Sequence, residues 1–154
     1  MQMRTSAVIK RDRVIINILP IIIAVILFVV ILSKVKDEQL PKASIGLSIS
    51  STMIGVWATC LGFMITAVSI LLALNGSNYI GILKKTGHYK TILICFMSCC
   101  FHILIALIIA IVVTFLQKWT VTIFAIVCAS TIDVVLIMGV CLYFLWVIVV
   151  KIDD

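Results

Sequence analysis

The sequence predicts an all-α, polytopic membrane protein built as a bundle of four transmembrane helices. Hydrophobic residues make up 64% of the 154-residue chain and charged residues only 12%, which is too few polar side chains to cover a soluble fold. The apolar residues are concentrated in four long runs. A helix of about 20 residues crosses a hydrocarbon core of roughly 30 Å, so each run is long enough to span it. We expect residues 1–154 to form a single membrane domain.

The first predicted span covers residues 14–33 and follows a basic segment that contains Arg4, Lys10, Arg11 and Arg13. Its apolar run is longer than the core of a typical signal peptide, and no A-x-A-like cleavage site follows it. The segment is therefore expected to remain as a helix, with the basic tail in the cytoplasm.

The second predicted span, residues 45–74, carries a stripe of small and hydroxyl side chains. These residues recur every three or four positions and so share one face of the helix. The small-residue stripe consists of Ser51, Gly55, Thr59, Gly62, Thr66 and Ser69. Small residues let helix backbones approach closely, which predicts that this helix packs at the centre of the bundle. A contact between subunits and the lining of a pore are the alternative interpretations.

A basic loop, residues 75–91, separates the second span from the third. Residues 77–86 have the length and composition of a short interfacial helix. The candidate residues for docking a cytosolic partner or an acidic lipid surface are Tyr79, Lys84, Lys85, His88 and Lys90. The simpler interpretation is that the loop only sets topology, because basic loops normally stay in the cytoplasm.

The third and fourth predicted spans, residues 92–116 and 121–150, must form an antiparallel hairpin because the turn between them is short. His102 and Asp133 lie 16 and 15 residues from Lys118 in that turn. A hairpin therefore places both side chains at a similar depth. Apart from cysteine thiols, they are the ionisable groups deep within the predicted spans.

This buried polar pair admits three interpretations, because a carboxylate at mid-bilayer costs about 2.5–3.5 kcal/mol on insertion scales. In the first, His102 and Asp133 form a hydrogen bond that only holds the helices in register. In the second, they face a water-filled path and gate or relay protons or cations. In the third, Asp133 is a protonated spectator, because burial disfavours its charged form.

Other chemistries find little support in the sequence. All six cysteines fall inside the apolar spans, where cysteine usually packs as a small hydrophobic residue. Cys95, Cys99 and His102 share one helix face, but this spacing does not demand a metal site. Since no phosphate-binding glycine loop or catalytic motif is present, we expect no cofactor, no metal and no enzymatic activity. The cations lie at span ends rather than in one patch, which argues against nucleic-acid binding.

The distribution of Lys and Arg predicts the topology. The N-terminal tail has four of these residues, the basic loop three and the C-terminus one, which makes eight on one side. The two other connections together carry four. Because positively charged loops are retained in the cytoplasm, both termini are expected there.

Three features from the second span onward form a pattern. They are the small residues from Ser51 through Gly62 and Thr66, the segment ILKKTGHY at residues 82–89, and two apolar spans separated by a tiny turn. This pattern resembles the RexB-type phage-exclusion proteins, which are also four-helix proteins of about this size. It is similar as well to the four-span membrane subunit of Kiwa-type defence systems.

The resemblance implies a multi-pass protein of the bacterial cytoplasmic (inner) membrane that acts in anti-phage defence. It further implies an ion-conducting homo-oligomer that depolarises the cell under the control of a cytosolic sensor or effector protein. A non-conducting scaffold that recruits a soluble effector is the alternative. The role expected for His102 and Asp133 comes from the hairpin geometry and not from the resemblance.

Overall fold

The computed structural model describes residues 2–36, 40, 42–73, 81 and 88–152. Within these residues the chain forms four helices: α1 (Gln2–Lys34), α2 (Ala43–Ala73), α3 (His88–Leu116) and α4 (Val121–Ile152). Each helix contains a stretch long and apolar enough to cross a membrane. The predicted fold class is therefore confirmed: the protein is an all-α, multi-pass membrane protein with four-helix bundle packing.

α1 extends well beyond the span predicted at residues 14–33. Its apolar stretch is Asn17–Lys34, and the basic segment before it continues the same helix back to Gln2. That segment holds no glycine or proline before Pro20, so nothing in it interrupts helical backbone geometry. The helix thus carries its N-terminal cations on a continuous rod rather than on a separate tail.

α3, rather than α2, is the central helix of the bundle. α3 packs against all three other helices, whereas α2 packs mainly on α3 and α1 packs mainly on α4. The face that α3 turns into the core combines the large side chains of Ile92, Phe96 and Ile103 with small ones, namely Cys95, Cys99, Ala106 and Ala110. The close helix approach expected of small residues therefore takes place along α3.

The predicted central position of α2 is wrong, because its small-residue stripe faces outward. Every member of the stripe is exposed on the surface of the bundle: Ser51, Gly55, Thr59, Gly62, Thr66 and Ser69. α2 instead buries another face, which combines large and small side chains: Trp57, Met64 and Leu71 with Gly46, Ser50 and Ala67. Both facing surfaces thus carry large and small side chains, and small residues leave room for the large side chains of the neighbouring helix.

The hydroxyl groups of the stripe explain why it can face away from the bundle. Thr59 Oγ1 donates to the Gly55 carbonyl and Thr66 Oγ1 to the Gly62 carbonyl, each at 2.9 Å. Ser69 Oγ makes the equivalent bond within the helix at 2.9 Å. Because these hydroxyls are satisfied by their own helix, they need no polar partner from a neighbouring span.

The turn between α3 and α4 contacts the beginning of α2. Trp119 in this turn lies against Gly46, and its ring packs edge-to-face on Phe124 with the ring centroids 6.2 Å apart. Gln117 adopts a φ of 50°, a left-handed conformation that ends α3 and starts the reversal. This contact ties α2 to the α3–α4 hairpin at one end of the bundle.

Candidate functional site

His102 of α3 and Asp133 of α4 are in direct contact. His102 Nδ1 lies 2.5 Å from Asp133 Oδ2, and the two side chains are 12% and 16% exposed. The pair lies about 20 Å along the helices from the α3–α4 turn, at a rise of about 1.5 Å per residue. The structure therefore brings together the two residues that the hairpin places at a common depth.

The contact allows the proton to reside on either partner. An ionised carboxylate can only accept, so in that state His102 Nδ1–H donates to Asp133 Oδ2. A protonated Asp133 would instead donate to an unprotonated Nδ1, and the single hydrogen bond is kept. When the pair has no net charge, as imidazolium with carboxylate or imidazole with carboxylic acid, the proton can pass between its members without breaking the contact.

The second carboxylate oxygen of Asp133 is placed differently. Asp133 Oδ1 is buried and has no hydrogen-bond partner among the residues that the structure describes. Asp133 also lines a crevice of about 260 Å³ between α1, α3 and α4. The other residues of this crevice are Ile21, Ala24, Val25, Phe28, Ile109, Ile126, Ala129 and Ser130.

Ser130 is the polar residue of this crevice that sequence reasoning missed. It precedes Asp133 by three positions, so helical geometry puts both side chains on the same face of α4. Its hydroxyl donates to the Val127 carbonyl at 3.0 Å, which leaves the oxygen able to accept a further hydrogen bond. The three-residue spacing was visible in the sequence, but the wall supplied by α1 was not.

The predicted docking residues of the basic loop fall in two groups. Tyr79, Lys84 and Lys85 lie outside the described residues. α3 begins four residues before the predicted start of the third span, so His88 and Lys90 belong to its first turn and not to a loop. Their assignment to the loop is thereby corrected.

Three cysteines are buried where α3 faces α4. Cys95 Sγ lies 3.6 Å from Cys141 Sγ, and Cys99 is buried in the same cluster. In the described part of the chain, no three His, Cys, Asp or Glu side chains converge in a way that could hold a metal ion. Cysteine in this cluster acts as a small packing residue that lets the two helices approach.

This thiol contact provides a test of the α3–α4 register. A disulfide needs a sulfur–sulfur distance of about 2.05 Å, which requires the Cys95 and Cys141 sulfurs to approach by only about 1.5 Å. We expect a membrane-permeable oxidant to form a disulfide between these two cysteines. Subsequent alkylation should then add two fewer alkyl groups than it adds to the reduced protein, as counted by intact-mass spectrometry. Cys141→Ser should abolish that difference, whereas Cys128→Ser, on the same helix, should preserve it. A full set of alkyl groups on oxidised wild-type protein would contradict the register.

No protein-family model, curated protein sequence or solved structure matches this chain. Its function is therefore inferred from the side chains of the α3–α4 interface and from the sequence pattern. The buried contact between His102 and Asp133 is the strongest candidate for a functional site, because ionisable groups within membrane spans often mark ion or proton pathways.

Proposed function

We propose that this protein is the membrane component of a bacterial anti-phage defence system, and that it passes protons or cations to depolarise the inner membrane. The observation that supports ion passage is the contact between His102 and Asp133 deep within two adjacent spans. The defence role is supported by the resemblance of the region from the second span onward to the RexB-type and Kiwa-type membrane proteins.

The cost of burying the pair favours a functional role. Two ionisable groups within a bilayer add nothing to packing that a pair of leucines would not supply at lower cost. The His102–Asp133 contact instead offers a proton that can move from one side chain to the other. The adjoining crevice brings one wall of the site to the surface of the bundle, since Val25 in that wall is 55% exposed.

The proposal includes a homo-oligomer and a cytosolic partner. The outward small-residue stripe of α2, including Gly55 and Gly62, would let the helices of two subunits approach closely, while other faces contact membrane lipids. A cytosolic sensor or effector protein would dock on residues 77–90, which end in the first turn of α3, with both termini on the same cytoplasmic side. No nucleic acid takes part.

Ion flux through proteoliposomes tests the proposal. In proteoliposomes with an imposed potassium diffusion potential, ion flux through the wild-type protein should dissipate that potential. A voltage-sensitive dye measures the rate of this decay. Asp133→Asn should reduce it by about 100-fold or more, the lower range for losing a positioned proton-transfer group. Asp153→Asn makes the same chemical change in the C-terminal segment and should leave the flux unchanged.

The same variants are then expressed in cells at matched membrane levels, with phage supplied as the trigger. Depolarisation by wild type and Asp153→Asn, but not by Asp133→Asn, is the expected result. Equal flux from wild type and Asp133→Asn would show that the pair has no part in conduction. No depolarisation in infected cells by any variant would instead favour a scaffold that recruits a soluble effector.

A further inference from the structure

The crevice beside Asp133 combines an apolar wall with one carboxylate oxygen. Ile21, Val25 and Phe28 of α1 form one side, and Ile109 and Ile126 belong to the opposite side. Every lining residue apart from Ser130 and Asp133 is hydrophobic. A ligand that fills this space must therefore be largely apolar, with its polar group confined to one end.

The polar end of the ligand is specified by Asp133. Its Oδ2 already accepts or shares the proton of the His102 contact, while its Oδ1 is buried without a partner among the described residues. When His102 is neutral and Asp133 is ionised, the pair carries one net negative charge. A buried carboxylate oxygen in a low-dielectric surrounding strongly favours a charged hydrogen-bond donor.

The size of the crevice limits the apolar end. Pockets for drug-sized ligands have volumes of about 300–1,000 Å³, so about 260 Å³ suits one aromatic ring or a short alkyl chain. Ile21 and Val25 are both substantially exposed on the surface of the bundle. The crevice is thus reached from the lipid side, where a lipophilic amine can approach it as the neutral molecule.

We propose that this crevice is a binding site for small, lipophilic primary amines, which are held there as ammonium ions with the N–H groups on Asp133 Oδ1 and the apolar body between α1 and α4. The Ser130 hydroxyl oxygen supplies a second acceptor on the same helix face. Binding depends on the carboxylate and the shape of the crevice, and it stands whether or not the protein passes ions.

Binding of 4-phenylbutylamine to the full-length protein in lipid nanodiscs tests this site. The amine, its N,N,N-trimethyl analogue and the neutral 4-phenylbutan-1-ol are titrated calorimetrically, and the signal from empty nanodiscs is subtracted. The amine should bind most tightly, because the quaternary ion has no N–H donor and the alcohol has no charge. We expect the amine to exceed the alcohol in affinity by about tenfold or more, since hydrogen bonds to charged groups are the stronger class.

Two variants separate the carboxylate from the shape of the crevice. Asp133→Asn removes the charge, and Ala129→Leu fills the space while it leaves Asp133 and His102 in place. Each should weaken amine binding by about tenfold or more, a change of about 1.4 kcal/mol in binding free energy. Val135→Leu, on the exposed face of α4, should bind the amine like wild type.

The proposal is overturned if the amine and the alcohol bind wild type equally, or if Ala129→Leu binds the amine like wild type. It is also overturned if all signal disappears on subtraction of empty nanodiscs, which would mean bulk lipid partitioning. Should Asp133→Asn fail to fold, the comparison of Ala129→Leu with Val135→Leu still decides the question. Amine binding by a wild-type protein that passes no ions would count against the proposed function alone.

Discussion

His102→Leu is expected to destabilise the bundle by about 3–5 kcal/mol, the cost of leaving the buried Asp133 carboxylate without its hydrogen-bond donor. The variant keeps an apolar side chain of suitable volume on α3, but Asp133 loses the donor to its Oδ2. Its second oxygen, Oδ1, already lacks a partner among the described residues, so no other group there takes over the charge. The free energy of unfolding in mixed micelles, by titration with a denaturing detergent, measures the effect.

The double variant His102→Leu/Asp133→Leu provides the decisive comparison. Replacing both members of a buried polar pair by apolar residues is often neutral or stabilising. We therefore expect the free energy of unfolding of the double variant to lie within about 1 kcal/mol of the wild-type value or above it. If the double variant is as stable as wild type but passes no ions, the pair is needed for conduction and not for holding the helices in register. A single His102→Leu variant with wild-type stability would contradict the prediction and identify Asp133 as a protonated spectator.

Gly46→Ala should also destabilise the protein, by about 1–3 kcal/mol, because a methyl group at this position would overlap the six-membered ring of Trp119. Gly46 is buried, and Trp119 lies in the short α3–α4 turn, so the ring can move only by giving up its contact with α2 and Phe124. Thermal unfolding in detergent micelles measures the loss.

Gly139→Ala on α4 is the matched control, because Gly139 is exposed and lies outside the small-residue stripe of α2. Nothing lies within 4 Å of a Cβ at Gly139, and alanine favours helix by about 1 kcal/mol over glycine, so this variant should be as stable as wild type or slightly more. Combining Gly46→Ala with Trp119→Ala should cost no more than Trp119→Ala alone, since the overlapping ring is gone. Equal stability of Gly46→Ala and Gly139→Ala would show that Trp119 does not rest on α2.

The four helices and the His102–Asp133 contact were accessible from the sequence for simple reasons. Apolar runs of spanning length have few alternatives in a bilayer, and the four-residue connection between α3 and α4 leaves only an antiparallel hairpin. Depth within that hairpin follows from counting residues. The pairing of His102 with Asp133 required no knowledge of the other helices.

The orientation of α2 and the existence of the crevice required information that the sequence lacks. Lipid-facing and buried positions of a membrane helix are both mainly apolar, so periodicity does not distinguish the buried face from the lipid-facing one. Small residues are buried on α3, at Cys99 and Ala106, whereas those on α2, at Gly55 and Gly62, face outward. The crevice depends on the packing of α1 against α4, which are separated by the two other spans.

The packing of α1 mainly against α4 has a consequence for biosynthesis. α1 leaves the ribosome first and its principal neighbour α4 leaves last, with the whole of α2 and α3 in between. At about 5–20 residues per second, α1 must wait on the order of 10 seconds in the bilayer before that neighbour is complete. Asp133 enters the membrane only at the end of this interval. Its carboxyl group, which is costly to place within a bilayer, therefore arrives when α1 and His102 are already in the membrane to contact it.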